Sequence, residues 1–230
     1  MHVPDGFLDV PTSLGTGVIA AGGVALALRG ARRELSEAAA PLAGLVAVFV
    51  FAAQMLNFPV GAGTSGHLLG GALAAILVGP YTATLALTVV LLVQALLFAD
   101  GGITALGTNV VLMGIVGVWA GWLVFRGLQA VLPKKRMMVP PAAFVAALLS
   151  VPAAALAFTG LYAIGGEAPI PLGKLAVTML GWHLLIGLGE ALITTLAVSS
   201  VLAARPDLVY GARRYRADNE LVIRRTEVAA

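Results

Sequence analysis

The 230-residue chain contains no cysteine, so a disulfide, a thiolate metal site and a cysteine nucleophile are all excluded, and any metal must be held by nitrogen or oxygen. Charge is scarce: 11% of residues are Asp, Glu, Lys or Arg, against 60% apolar and a mean hydropathy of +0.98. An ordinary soluble domain has roughly 25% charged and 45–50% apolar residues. The first residues lack Lys and Arg and carry Asp5 and Asp9, so the positive n-region of a secretory signal is missing and the amino terminus is expected to remain MHVPDG. No nucleotide-binding P-loop is present. The nearest string, GEAPIPLGKL, spaces its glycines by six residues and follows its lysine with Leu175. No H-E-x-x-H zinc-protease helix occurs either.

What the chain does have is apolar length. Runs bounded by Gly, Pro and charge give seven candidate membrane spans, roughly 12–29, 41–57, 64–80, 82–99, 106–131, 139–164 and 174–203. Barrel strands would show alternating segments of about ten residues, which are not found. The fold class is therefore all-α, a polytopic membrane protein. The third run is the weakest, because HLLGGALAAILVG is short and a re-entrant hairpin is its alternative.

Charge asymmetry favours seven crossings. With the amino terminus outside, Arg29, Arg32, Arg33, Arg126, Lys134, Lys135, Arg136, Arg205, Arg213, Arg214, Arg216, Arg224 and Arg225 all face the cytoplasm, and only Lys174 faces outward. A re-entrant third segment would put PKKR outside, against the positive-inside tendency. The expected arrangement is N-out and C-in, with a membrane domain over 1–203, an extracellular segment 1–11 and a cytoplasmic tail 204–230. Topology explains the basic balance without nucleic acid.

In this orientation MHVPDG and the loop NFPVGAGTSGH share the outer face. The Met1 amine, an ionised His2 amide nitrogen and His2 Nδ1 form a five-membered and a six-membered chelate ring. This is a nearly planar set of three nitrogens, and a fourth nitrogen completes a square-planar site suited to Ni(II) or Cu(II). A bulky second residue disfavours removal of Met1, and Pro4 and Gly6 mark a turn. His67, after a glycine-dense loop, lies on the correct side to be the fourth ligand. The plain alternatives are an exposed terminal histidine and an interfacial one.

His183 and Glu190 are seven residues apart and share a helix face, which suits a metal site, a proton relay or a hydrogen-bonded packing seam. Asn57, Thr64, Ser65, Asp100 and Asn109 are further polar candidates, for support of the ligands or for scaffold; Gln54 and Gln94, like Asn57, Asp100 and Asn109, are candidates to anchor the outward loops by hydrogen bonding, most of them as scaffold. Small residues recur every fourth position at Ala39, Ala43 and Ala47, as in close helix packing or a docking surface.

Four motifs, MHVPDG, QMLNFPVGAGTSGHLLGGALAAILVGP, QALLFADGGITALGTN and HLLIGLGEALIT, occur in an order that resembles the CbiM/NikM family, the substrate-binding membrane subunits of energy-coupling-factor transporters for cobalt or nickel. The resemblance covers residues 1 to about 203. It implies six core helices plus one added at the amino terminus, and an amino-terminal segment folded back into the outer cavity. It also implies metal ligation at Met1, His2 and His67, with Ni(II) or Co(II) as cargo and no catalytic cofactor. The implied partners are a transmembrane coupling subunit, two cytoplasmic ATPases and, in some relatives, a small accessory subunit. Two other classes fit less well: a metal-dependent membrane enzyme using His183 and Glu190, and an ATP-independent channel or carrier.

Overall fold

The computed structural model describes residues 1–35, 39–61 and 64–215. The chain is helical apart from one short hairpin. Helix α1 spans Val10–Glu34, α2 Ala40–Gln54, α3 Gly71–Val78 and α4 Pro80–Leu97. Helix α5 runs from Leu106 to Val131, α6 over Val139–Gly165 and α7 over Leu172–Ala204. Strands β1, Phe58–Gly61, and β2, Thr64–Gly66, pair antiparallel. Among the described residues, α1, α4, α5, α6 and α7 are long and apolar enough to cross a membrane, and α2 is a shorter apolar helix.

Local chemistry sets the helix boundaries. Asp9 Oδ1 accepts from Thr12 N at 2.8 Å to cap α1, and Pro11 occupies its first turn, where a missing N–H costs nothing. Arg32 and Arg33 close α1 at the negative end of its dipole. Prolines likewise open α2, α4 and α6. Pro152 lies inside α6, which packs against α7 along its length, so neighbouring side chains surround the interrupted ladder.

The third run differs from the sequence expectation of a span over 64–80. Its first part is β2 and an extended stretch, and only Gly71–Val78 is helical, every residue of it buried. An eight-residue helix is about 12 Å long, well short of a hydrocarbon core of about 30 Å. The cause is the glycine content. Gly79 adopts φ 98, a conformation that ends the helix, and Pro80 at once starts α4. A Cβ on Gly79 would strike the Glu34 carboxyl. The third segment thus carries the chain from His67, stacked on His2, to the opposite end of α1.

The two ends of the bundle have different inventories. Residues 1–9, the turn 98–105 and the connection after α6 meet at one end, where Asp9 N donates to Gly165 O at 2.7 Å and Glu167 N to Phe7 O at 3.0 Å. Glu34, the start of α4 and the segment after α7 meet at the other. A packed chain continues past residue 203, the boundary expected from sequence: Val209, Ala212 and Tyr215 are buried, and Gln129 Nε2 donates to Gly211 O at 2.8 Å. Residues 216–230 of the expected tail lie outside the described residues.

Candidate metal site at the amino terminus

The amino-terminal segment is built into the bundle. Met1 is 2% exposed and Val3 fully buried, although neither belongs to a helix. Asn109, near the start of α5, holds Val3 on both sides: its Oδ1 accepts from Val3 N at 2.7 Å and its Nδ2 donates to Val3 O at 3.1 Å. Gly102 N donates to the same carbonyl at 2.9 Å. Asp5 Oδ1 accepts from Thr104 N at 2.8 Å, and these bonds keep the Asp5 carboxyl below the usual carboxylate range. The turn that delivers these donors depends on glycine. Gly101 has φ 93, and a side chain at Gly102 would collide with Asp5.

Three of the expected residues converge here. The His2 and His67 rings stack with centroids 4.4 Å apart and planes 22° from parallel. The Met1 amine is buried in the same place, close to Asp100. Burial lowers the amine from its ordinary value of 8.0 to about 4, against the opposing pull of Asp100, so it is neutral and carries a lone pair at neutral pH.

The hydrogen bonds decide which ring nitrogens carry protons. His67 Nδ1 is 2.8 Å from Leu68 O and His183 Nδ1 is 2.7 Å from Met179 O; a carbonyl only accepts, so both Nδ1 atoms donate. That leaves Nε2 of each ring as a lone-pair nitrogen, and both are buried without a hydrogen-bond partner. Such an atom costs about 1–3 kcal/mol unless something engages it. His2 Nε2 is 3.2 Å from Gln94 Oε1. Its Nδ1 lies 3.0 Å from Asp100 Oδ1, but out of line for a hydrogen bond. The His2 ring is thus held between the Gln94 amide and the Asp100 carboxylate. Proximity to His2 in turn holds the Asp100 carboxyl below its ordinary value.

Other candidates fall elsewhere. Glu190 is committed to structure: its two oxygens accept from Leu69 N at 2.7 Å and Gly70 N at 3.0 Å, capping α3. It shares a face with His183 but is not part of the histidine group. Asn57 is exposed, and the side chains of Thr64 and Ser65 lie outside the described residues. Gln94, named from sequence among the polar residues that could anchor the outward loops, is a direct partner of His2. Among the described residues no three His, Asp or Glu side chains converge in a metal-binding group.

A family profile described as the cobalt uptake substrate-specific transmembrane region, CbiM, matches residues 2–208. The chain belongs to the CbiM family. A putative fused nickel transport protein, NikMN, of Archaeoglobus fulgidus is 43% identical over 211 residues, which cover 91% of this chain and 68% of that protein. A putative metal transport protein of Haloquadratum walsbyi is 40% identical, covering 91% of this chain and 94% of its relative. The cobalt transport protein CbiM of Geobacter sulfurreducens is 37% identical; the alignment covers 91% of this chain but 61% of that longer protein. A crystal structure of a transition metal transporter superposes with a TM-score of 0.82 at 28% identity, over 94% of this chain and 99% of that one. This CbiM-family chain is thus similar to proteins named as transporters, not as enzymes, and the membrane-enzyme alternative built on His183 and Glu190 is set aside.

Proposed function

We propose that this CbiM-family chain is the substrate-binding subunit of an ATP-driven energy-coupling-factor transporter that imports Ni(II) or Co(II). The observation that carries the reading is the buried neutral amine of Met1 beside the stacked rings of His2 and His67, with Nε2 of His67 open. The amine, the ionised His2 amide, His2 Nδ1 and His67 Nε2 supply four nitrogens, the donor set of a square-planar site. Val3 N is already committed to Asn109, which leaves the His2 nitrogen as the main-chain ligand next to the amine. Gln94 orients the His2 ring by accepting from Nε2–H, the usual role of an outer hydrogen bond on a ligating imidazole.

The membrane arrangement in this reading is seven passes, N-out and C-in. It is supported by the placement of Arg29, Arg33, Lys134, Lys135, Arg136, Arg205 and Arg213 at or near the Glu34 end, with Lys174 at the other. A transmembrane coupling subunit and two cytoplasmic ATPases supply the energy. The relatives named as fused nickel transport proteins, NikMN and LarMN, support a further partner in the complex.

The test is titration of purified protein with Ni(II) and Co(II) by calorimetry. Wild type is expected to bind one ion. His2→Ala, and a variant with one residue added before Met1, are expected to lose stoichiometric binding while keeping their unfolding temperature within a few degrees. Wild-type affinity in the extended variant would sink the terminal chelate.

A further inference from the structure

The end of the bundle away from the histidines carries a second feature that metal binding does not use. A cavity of about 530 Å³ opens between α1, α4 and α5, walled by Leu26 of α1, Tyr81 of α4 and Ile115 and Trp119 of α5. Helix α1 approaches closely only through glycine: a side chain at Gly23 would strike Ile115 and one at Gly30 would strike the Tyr81 ring. Tyr81 and Trp119 meet edge to face at 4.9 Å, and Trp119 Nε1 donates to Thr84 Oγ1 at 3.2 Å, which fixes the indole in the wall. Only 17% of the apolar stretch of α1 is buried in the bundle, so the groove lies at its periphery.

Arg29 and Arg33, four residues apart on one face of α1, line the polar end of this groove. Both are exposed, and among the described residues neither makes a hydrogen bond or ion pair. The acid beside them is occupied: Glu34 accepts from Tyr81 N at 3.2 Å, Thr82 N at 2.7 Å and Thr82 Oγ1 at 2.9 Å. From Gly23 to Glu34 the groove follows α1 for about 16 Å, half of a hydrocarbon core of about 30 Å. Its layout is that of a single lipid: hydrocarbon walls for one leaflet's depth, then two cationic side chains at headgroup level.

We propose that this groove is a binding site for one anionic phospholipid, its phosphate held by Arg29 and Arg33 and an acyl chain lying along Leu26, Ile115 and Trp119. Charge complementarity distinguishes this occupant from bulk zwitterionic lipid, and basic pockets between membrane helices are known to take anionic headgroups. The inference is independent of whether the chain binds metal.

The test uses Trp119 as reporter. The chain has three tryptophans, and a Trp122→Phe/Trp182→Phe protein leaves one. In nanodiscs, phosphatidylglycerol brominated on its acyl chains is expected to quench Trp119 at a mole fraction about 25-fold lower than brominated phosphatidylcholine, two arginines giving about fivefold each. Arg29→Gln/Arg33→Gln is expected to abolish the preference, whereas Arg32→Gln, outside the groove, keeps it. Inorganic phosphate is expected not to reverse the quenching. Equal quenching by the two lipids, absence of quenching by both because a protein segment fills the groove, reversal by phosphate, or a preference that survives loss of both arginines would each overturn the proposal. Native mass spectrometry of the unmutated protein gives a second reading: retained phosphatidylglycerol supports the site, and retention of both lipids in proportion to their supply refutes it.

Discussion

The buried carboxylates of this bundle and the buried histidines at its other end are treated in opposite ways. Around Glu34, both carboxylate oxygens are engaged by donors at the start of α4, and Arg213 Nη2 donates to the Glu34 carbonyl at 2.7 Å. Glu190, deeper in the bundle, is closed in the same manner over the start of α3. Around His2, by contrast, ring nitrogens of His67 and His183 remain open and a neutral amine stands beside them. A satisfied buried carboxylate holds helices together. The open ring nitrogens are the donors on which the proposed cation site draws, and Asn109, Gly102 and Thr104 clamp the backbone that carries His2.

The sharpest break of that contrast is His67→Ala. It removes an open nitrogen and no structural hydrogen bond between helices, so Ni(II) affinity measured by calorimetry should fall by more than about a hundredfold, beyond the 10–100-fold typical of outer partners, with thermal stability nearly unchanged. Glu34→Ala should give the reverse. Loss of its bonds to Tyr81 and Thr82 is expected to cost about 3 kcal/mol in unfolding, read as a lower melting temperature in detergent, with metal affinity retained.

A smaller effect lies between the two. Gln94→Leu removes the acceptor that orients the His2 ring and should weaken metal binding by about tenfold without changing stoichiometry. A melting temperature that collapses with little change in affinity would instead place Gln94 with the structural group.

The smallest effect is a pH dependence. The Asp5 carboxyl is depressed by its Thr104 bonds, so their contribution is present above the unfolded-chain value of about 3.9 and is lost as pH falls through the lower folded value. Hydrogen exchange at the Thr104 amide should accelerate relative to neighbouring amides as pH drops below that point. In Asp5→Asn the differential should vanish.

The candidate site could be proposed from sequence because chelation by Met1 and His2 is a matter of covalent proximity, and the structure stacks His2 on His67, the residue named with them. Membrane class was legible for a similar reason: a run of about 20 apolar residues has few other uses. The third segment was not. Gly70, Gly71 and Gly79 sit in an apolar run that reads as a helix by composition, but their backbone conformations and close approaches divide it into hairpin, extended stretch and short helix. Gln94 was legible as an anchor of the outward loops but its partner was not, because a polar residue in an apolar span looks the same whether it meets a neighbouring backbone or a distant imidazole.

The sequence by itself determined the apolar medium this chain is built for and the absence of thiolate ligands, and it placed a candidate three-nitrogen chelator at Met1 and His2. Tertiary structure decided where that chelator goes. Only folding brings the turn after α4 over residues 1–5, stacks His2 on His67 across 65 residues of chain, and drives the amine out of water so that it loses its proton. Those outcomes depend on contacts between segments distant in sequence, and on desolvation, which no local pattern encodes.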